Sequence, residues 1–283
     1  MTTEAYTTLF DKLKKTAVAA DYAPAETPLP PRTSKFGGKP HLPANFAWPY
    51  YEGADYLDEE IANRPLSFLA QFNLEEIADF DTDNMLPHTG MLYFFYELCT
   101  MKWGFDPKDQ GCARVYYIED TNNLSPVDFP ADLAQDYRIP EFALKFSSQM
   151  NLPDYGEAAE RHTDVEWDCY DEERIIYGCE MQDNTECSKL LGYANLVQGD
   201  MLFQCAEIAA GIYCGDVTEF TDEQRESLLA QSEAWTLLFQ MSTVEKDGYE
   251  LMFGDCGSIY FYIRKQDLKE KNFDNVWLIL QCF

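Results

Sequence analysis

A short stretch near the N-terminus places basic side chains around two adjacent glycines, a pattern that favours anion binding. The stretch 34–39 reads Ser-Lys-Phe-Gly-Gly-Lys and follows Arg32. Glycine adopts backbone angles closed to other residues, so consecutive glycines can turn their N–H groups toward one anion. The neighbouring cations would neutralise a phosphate or a carboxylate. The stretch is neither a dinucleotide-binding fingerprint nor a Walker loop, because no Gly-Lys-Ser/Thr follows a strand.

A structural role is the alternative for the same stretch, and it is the interpretation we favour. Phe36, Phe46 and Trp48 would anchor it in the core as a stiff loop, and prolines restrict its path. Ser-Lys-x-x-Gly recurs at 188–192 without the double glycine. The recurrence indicates that Ser-Lys belongs to a structural frame, which leaves Gly37 and Lys39 as the part without a structural explanation.

Two glutamines end apolar runs that are typical of strands. Gln71 closes one of these runs and Gln240 closes the other. A buried amide is costly unless it is hydrogen-bonded, so each side chain should bind a backbone group or the other half of the chain. A bound ligand would satisfy the amides equally well, and both interpretations stay open.

The turn at 253–257 contains an aspartate beside a cysteine. Asp255 is typical of turn chemistry, in which its side chain caps the backbone. Cys256 would act as a nucleophile only with a general base, usually a histidine. His88 is the candidate base, and only if Gly90 and Gly257 occupy matching positions in two related halves. Turn chemistry is the interpretation that we favour.

These residues define a hypothesis in which one pocket lies between two halves of the chain. The candidates for binding a ligand or an anion are Arg32, Ser34, Lys35, Gly37, Gly38, Lys39, Trp48, Gln71, Gln240 and Asp255. No catalytic residue and no cofactor are predicted. The nine cysteines form no Cys-x-x-Cys pair and the three histidines no His-x-x-x-His pair, so no metal site is predicted either.

The elements that would position these residues are mostly strands. Apolar residues three and four apart predict an amphipathic helix over 3–20, and the prolines that follow require an extended path. Short helices should begin at Asn73 and at the capping box Thr221–Gln224. Strands are predicted at 64–72, 91–98, 113–119, 140–146 and 276–282.

The second half of the chain repeats the first in the same order. Besides Ser-Lys-x-x-Gly, an apolar run ending in glutamine recurs at 235–241 after 66–72, and a Gly-led aromatic run recurs at 257–263 after 90–96. We infer an internal duplication. The predicted fold is therefore mainly β (α+β), a roll-like or pseudo-barrel single domain with an N-terminal helix and peripheral helices.

The predicted domain organisation follows from this repeat. Residues 1–29 should form the N-terminal helix and a Pro-rich lead-in, and residues 30–283 the domain, with pseudo-repeats at about 30–150 and 185–283. The first residues lack a basic leader with an apolar block, and no apolar run is long enough to span a bilayer. We expect a cytoplasmic protein with reduced cysteines.

The charge of the chain is strongly and unevenly negative. The net charge is −29, whereas residues 1–40 carry six basic against four acidic residues, so the rest sums to −31. Such a field repels nucleic acid and anionic membranes and attracts basic proteins. Carboxylates crowd residues 154–173, where we predict a helix with a solvated acidic face and apolar residues docked on the sheet. The spacing is not that of a calcium loop.

An ordered set of motifs resembles the bacterial YwqG-like family, whose function is unknown. The likeness extends from about residue 30 to the C-terminus and is carried by Ser-Lys-x-Gly-Gly-x-Pro-x-Leu-Pro from Ser34, Trp48-Pro49, Leu69-x-Gln-x-Asn-Leu, Leu86-Pro-x-x-Gly-x-Leu-x-Phe-Phe, Lys189-Leu-Leu-Gly, Leu237-Leu-x-Gln and Phe253-Gly-Asp-x-Gly-x-Ile-Tyr-Phe. After Gly192 the chain continues with Tyr-Ala rather than the expected Tyr/His-Pro. The resemblance implies a mainly β domain and an immunity or interaction role, without catalytic residues.

Two functions are therefore expected from the sequence. The first is a non-enzymatic, immunity-type module that binds a basic protein such as a toxin or effector. The alternative is a small-molecule or anion-binding protein, or an enzyme, with its site between the pseudo-repeats. The two differ in whether the candidate residues converge on one concave pocket.

Overall fold

Strands outnumber helices in the computed structural model, which describes residues 1–54, 60–162, 164–179, 187–216 and 218–283. The helices in these ranges are α1 Thr3–Leu13, α2 Leu74–Ile77, α3 Tyr155–Ala159, α4 Trp167–Tyr177, α5 Met201–Ala209, α6 Asp222–Ser232 and α7 Lys265–Lys269. The strands are β1 Lys15–Pro24, β2 Lys35–Phe36, β3 His41–Leu42, β4 Tyr50–Ala54, β5 Ile61–Pro65, β6 Ser67–Asn73, β7 Met91–Tyr96, β8 Ala113–Ile118, β9 Ser125–Pro126, β10 Phe142–Asn151, β11 Lys189–Leu191, β12 Trp235–Ser242, β13 Val244–Lys246, β14 Tyr249–Leu251, β15 Ser258–Arg264 and β16 Trp277–Gln281.

Ten of these strands form one antiparallel sheet that curls into a nearly closed barrel. Their order is β16-β15-β12-β11-β1-β10-β2-β6-β7-β8. The two edge strands approach each other through the segment that precedes β8: the backbone N–H of Leu280 donates to Trp103 O at 2.9 Å, and the indole of Trp277 donates to Gly104 O at 2.8 Å. The mainly β, barrel-like fold predicted from the sequence is confirmed.

The sheet consists of two halves whose corresponding strands follow in the same order when each half is followed inward from its own edge. Strands β1, β2, β6, β7 and β8 correspond in turn to β10, β11, β12, β15 and β16. Lys35 lies opposite Gln71 in the first half, and Lys189 lies opposite Gln240 in the second. The first strand of each half pairs with the second strand of the other, β1 with β11 and β10 with β2. This swapped arrangement is what a duplication of one unit would produce, and it joins the halves into one sheet.

Aromatic side chains from both halves share the core. The ring centroids of Phe94 and Phe239 lie 4.7 Å apart, those of Phe72 and Phe239 5.1 Å, and those of Phe94 and Phe261 5.1 Å. Edge-on and tilted contacts of this kind add to the free energy gained by burying apolar surface. Since neither half has this core alone, the duplicated units form a single packed body.

The N-terminal helix is shorter than predicted. It ends at Leu13, and residues 15–24, expected to be helical up to residue 20, form β1 instead. Ala17, Val18 and Ala19 are buried between β10 and β11, where small side chains fit the centre of the sheet. Strand pairing on both sides outweighs the helix propensity of alanine. The division of the chain near residue 30 stays a prediction.

Other local predictions are confirmed. Asn73 caps α2 by accepting from the backbone N–H of Glu75, and Thr221 and Gln224 form the capping box of α6. The predicted strands correspond to β6, β7, β8, β10 and β16, with boundaries shifted by a few residues. Within the described ranges, no helix is long and apolar enough to cross a membrane.

Candidate functional site

The basic stretch considered for anion binding contains a buried lysine, Lys35, whose ammonium group is hydrogen-bonded within the protein. Lys35 has no exposed surface, and its Nζ donates to Lys39 O at 2.7 Å and to the carboxylate of Glu141. Ser34 is also buried, and its hydroxyl accepts from the backbone N–H of Asn73 at 2.8 Å. Burial lowers the pKa of Lys35, and the hydrogen bond to Glu141 opposes this shift. The ammonium group therefore holds the loop together.

The double glycine has a structural task in the same loop. Gly37 and Gly38 have φ of 57° and 65°, in the left-handed region. Their N–H groups donate at 2.8 Å to the carbonyls of Leu69 and Ile139, so the backbone uses the donors that a nest would offer. A Cβ on Gly37 would lie 2.1 Å from Pro140 O. Such a close approach of two backbones requires glycine.

Gln71 is the centre of a buried network beneath this loop. Its amide nitrogen donates to Thr33 O at 2.8 Å, and its amide oxygen accepts from the backbone N–H of His41 at 2.9 Å. The hydroxyl of Tyr93 donates to His41 O at 2.6 Å. Burial, with the nearby charge of Lys35, lowers the pKa of His41 to about 4, so the imidazole is neutral at pH 7.

The second half of the sheet contains the same network. Gln240 donates to Cys187 O at 2.9 Å and accepts from the backbone N–H of Asn195 at 2.9 Å, and Tyr260 donates to Asn195 O at 2.7 Å. Lys189, also without exposed surface, donates to the side-chain oxygen of Asn195. The two glutamines lie in two separate networks rather than in one pocket. Their repetition is expected of a structural device inherited by both halves.

Two more of the predicted residues are cations at the surface of the first half. Arg32, with φ of 70°, donates to the carboxylate of Glu75 at 2.7 Å. Lys39 forms an ion pair with Asp128. Exposed pairs of this kind contribute about 0–1 kcal/mol to the free energy of unfolding. A ligand would have to displace these carboxylates, and a binding role for either cation stays a prediction.

The remaining predicted residues lie apart from the networks. The indole of Trp48 donates to Leu66 O at 2.8 Å, which fixes the end of the loop. Asp255 and Cys256 are exposed in the turn before β15. Cys256 lines a cavity of about 670 Å³, and no histidine occurs among its described lining residues. His88 is exposed elsewhere, so the structure gives no support to a Cys–His pair.

The acidic region 153–180 differs from its prediction in which apolar residues dock. It forms α3 and α4, and α4 packs inward through Tyr170 and Arg174. Trp167, Ile175 and Ile176, expected to dock on the sheet, are 70%, 57% and 68% exposed. The outward side of the helix therefore combines apolar and acidic side chains. We call it the α4 surface: Trp167, Asp168, Asp171, Glu172, Ile175 and Ile176.

Glu157, counted with the solvated carboxylates in the sequence, is buried. It is 4% exposed and lines a cavity of about 360 Å³. We call this the Lys15 cavity; its lining residues are Leu13, Lys15, Pro153, Glu157, Ala158, Arg161, His162, Tyr193, Leu202, Glu233, Trp235 and Lys265. They come from α1, β1, α3, α5, β12, α7 and the loops beside them. No sequence motif marks this set, because its members are scattered over about 250 residues.

Two titratable side chains of the Lys15 cavity have no ion-pair or hydrogen-bond partner among the described residues: Lys15 and Glu157. The Lys15 Nζ lies 3.6 Å from the centroid of the Tyr193 ring and forms no ion pair within 4.0 Å. The Glu157 carboxylate receives no hydrogen bond from any described group, although Lys15 and Arg161 lie nearby. Burial lowers the pKa of Lys15 to about 8 and raises that of Glu157 to about 8. Unpaired titratable groups in a cavity are typical of binding and active sites.

The free energy of unfolding should therefore depend on Glu157 between pH 4.5 and pH 8. The folded state keeps a proton on Glu157 up to about pH 8, whereas the unfolded chain loses it near 4.5, so stability falls as the pH rises through this window. Glu157→Gln should remove a slope of at most about 1.4 kcal/mol per pH unit. Chemical unfolding at several pH values measures the slope for both proteins. The surrounding charged or titratable groups are Lys15, Asp154, Arg161, His162, Tyr193, Asp200, Glu233 and Lys265.

The control for this measurement is Glu223→Gln, at an exposed glutamate of α6. Wild type and both variants otherwise share the same groups around the cavity, so only the difference from wild type reports on the substituted residue. A Glu157→Gln profile parallel to that of wild type would contradict the assignment.

The part of the chain that the structure describes contains no cluster of side chains that could coordinate a metal ion. There, no group of three or more histidine, cysteine, aspartate and glutamate side chains comes together. None of the nine cysteines, all of which lie in the described ranges, forms a disulfide, and five of them are buried.

The fold and these sites define an internally duplicated β domain that buries a lysine–glutamine–tyrosine network in each half. The family model that matches residues 34–282 is described as a domain of unknown function, DUF1963. Since the match spans most of the chain, the protein belongs to this family. No curated protein matches the chain.

Proposed function

We propose that the protein is a non-enzymatic binding module whose α4 surface docks a basic protein. The observation that carries the proposal is the exposure of Trp167, Ile175 and Ile176 among carboxylates. Isolated exposed apolar residues are ordinary on protein surfaces, but α4 exposes three large ones: the adjacent Ile175 and Ile176, and Trp167 about two turns before them. Protein interfaces combine such an apolar centre with a charged rim.

The negative charge of the α4 surface favours a partner with a positively charged binding face. Asp168, Asp171 and Glu172 are exposed, and the period of the helix places them on the side of α4 that carries Ile175 and Ile176. A partner that presents Lys or Arg around an apolar groove would pair with these carboxylates, and the net charge of −29 would accelerate its approach. Trp167 is the expected anchor, because tryptophan is enriched among residues that dominate binding energy.

An immunity-type role is the biological form of this proposal. In it, the α4 surface covers a basic toxin or effector and keeps it inactive. We further propose that the chain is YwqG-like within its family, because the ordered motifs extend from residue 34 to the last strands. We place it in the cytoplasm, a proposal supported by the lack of a disulfide among its described cysteines, since a reducing compartment keeps disulfides from forming.

Substituting the three apolar residues by serine should abolish partner capture. We expect Trp167→Ser/Ile175→Ser/Ile176→Ser to weaken binding by about 100-fold or more, because it removes the apolar anchors. The test is affinity capture with the full chain from cells that carry its gene, with bound proteins quantified by mass spectrometry. Capture is repeated at about 0.1 M and about 1 M salt, where the Debye length falls from about 10 Å to about 3 Å.

Two control variants distinguish binding at the α4 surface from non-specific hydrophobic binding and from non-specific electrostatic attraction to an acidic protein. Ile61→Ser removes an isolated side chain that is 73% exposed. Glu223→Lys/Glu226→Lys reverses charges on α6, whose outer side is acidic without large apolar residues. A basic protein retained by wild type and Ile61→Ser, weakened by salt and lost from the triple variant supports the proposal. Equal capture by wild type and the triple variant would refute it.

A further inference from the structure

We propose that the Lys15 cavity is a binding site for a small organic carboxylate with an apolar body. This inference goes beyond the proposed function, because the cavity uses no residue of the α4 surface. It rests on three features: a cation without a carboxylate partner among the described residues, a buried carboxyl group that no described group hydrogen-bonds, and an apolar wall. All three line one concave space of about 360 Å³, near the lower end of the range for small-molecule sites.

The other two cations of the cavity are already held by the protein. Arg161 donates to Asp200 at 2.9 Å, to Glu233 at 2.7 Å and to the hydroxyl of Ser232 at 2.9 Å. Lys265 donates to the carbonyl of Glu233 at 2.7 Å. These bonds fix the cavity wall where the ends of α3 and α6 meet.

Lys15 is the cation that remains for a ligand. Its ammonium rests over the Tyr193 ring, a contact that stabilises the charge without using its hydrogen-bond donors. The Tyr193 hydroxyl is itself occupied, since it donates to Leu13 O at 2.7 Å. Arg161 and Lys265 repel the Lys15 charge. A bound carboxylate would relieve this repulsion and accept from Lys15 directly.

The protonation state of Glu157 determines whether the cavity favours an anionic or a cationic ligand. A buried carboxyl group near Asp200 and Asp154 keeps its proton, and the pKa of about 8 leaves it mostly neutral at pH 7. A neutral carboxyl group donates one hydrogen bond, so it can bind the second oxygen of a ligand carboxylate. With Glu157 neutral, Lys15 and Lys265 carry the lining charges that have no ion pair among the described residues. Lys265 is exposed, so a monoanion complements the less exposed charge, that of Lys15.

The rest of the cavity suits the apolar part of such a molecule. Trp235 and Leu202 are 6% and 8% exposed and line the cavity together with Leu13 and the face of Tyr193. Aromatic and aliphatic walls around a few polar groups are the usual composition of small-molecule sites. The ligand class is therefore an aryl or alkyl monocarboxylate rather than an inorganic anion.

Benzoate is the probe that tests this inference, with benzamide and benzylamine as its neutral and cationic counterparts. We expect the unfolding temperature of the wild-type full chain at pH 7 to rise with benzoate concentration, and to stay unchanged with the other two. Isothermal titration then gives the dissociation constant. Lys15→Met should weaken benzoate binding at least tenfold, and Glu157→Leu should weaken it at least threefold because leucine donates no hydrogen bond.

Lys12→Met is the matched control, since it removes an exposed lysine of α1 close in sequence to the cavity. If Lys15→Met does not fold, two comparisons decide: the three probes on wild type, and benzoate binding by wild type and by Glu157→Leu. The inference is overturned if neither benzoate nor hexanoate binds wild type, if benzylamine binds instead, or if Lys15→Met and Lys12→Met bind benzoate equally. The α4 triple variant should bind benzoate like wild type, so failure here and failure of the proposed function remain distinguishable.

Discussion

Replacing Gly37 with alanine should lower the free energy of unfolding by roughly 3–5 kcal/mol, one of the largest effects of a single methyl group in this protein. The new Cβ would lie 2.1 Å from Pro140 O and 2.6 Å from Ile139 O, both backbone atoms. Relief by local movement is restricted, because the Gly37 N–H donates to Leu69 O and β2 pairs with a strand on each side. The clash therefore has to be relieved by separating β2 from β10.

Gly248→Ala is the control for this prediction. Gly248 has φ of +83°, in the same left-handed region, but nothing lies within 4 Å of the Cβ it would acquire. Its substitution should cost only the backbone strain, about 1–2 kcal/mol. Chemical unfolding followed by circular dichroism compares the variants. If the two alanines cost the same, close backbone packing is not the reason for Gly37, and the anion-binding interpretation of the loop regains support.

Local motifs were sufficient to predict the frame of the fold. The repeats of Ser-Lys and of strand-ending glutamines mark β2, β6, β11 and β12, because a buried lysine or glutamine needs a specific set of partners that both halves kept. The aromatic runs mark β7 and β15 because alternating large side chains fit a sheet buried on both faces. Residue type and spacing carry this information directly.

The Lys15 cavity and the α4 surface depend on three-dimensional context that spacing does not contain. Lys15 begins β1, an alanine-rich segment for which the sequence predicts a helix. It is a strand because β10 and β11 pair with it on either side. Glu157 and Glu172 look alike in the sequence, yet one is buried and the other exposed. Trp167, Ile175 and Ile176 are exposed rather than docked on the sheet as expected, and Tyr170 and Arg174 are the buried residues of α4. Packing decides which face of a short helix is covered.

The glutamine networks offer an energetic test of their structural role. Gln71→Ala should lower the free energy of unfolding by roughly 3–5 kcal/mol, since it removes the partners of His41 N and Thr33 O and opens a cavity. Gln240→Ala removes the partner of Asn195 N, whereas Cys187 O still accepts from the Ser242 hydroxyl at 2.7 Å. The second variant should therefore cost about 1 kcal/mol less than the first. Gln231→Ala, on an exposed position of α6, should change stability by at most about 0.5 kcal/mol.

The double variant distinguishes two separate networks from one shared pocket. Gln71 and Gln240 point away from the aromatic core, because their neighbours Phe72 and Phe239 point into it and successive side chains of a strand alternate. Since the glutamines share no partner, their costs should add within about 0.5 kcal/mol. A coupling larger than about 1 kcal/mol would mean that the two side chains meet, as the pocket between the pseudo-repeats requires. Additive costs would leave each network as the separate device that pins a loop over its own half of the sheet.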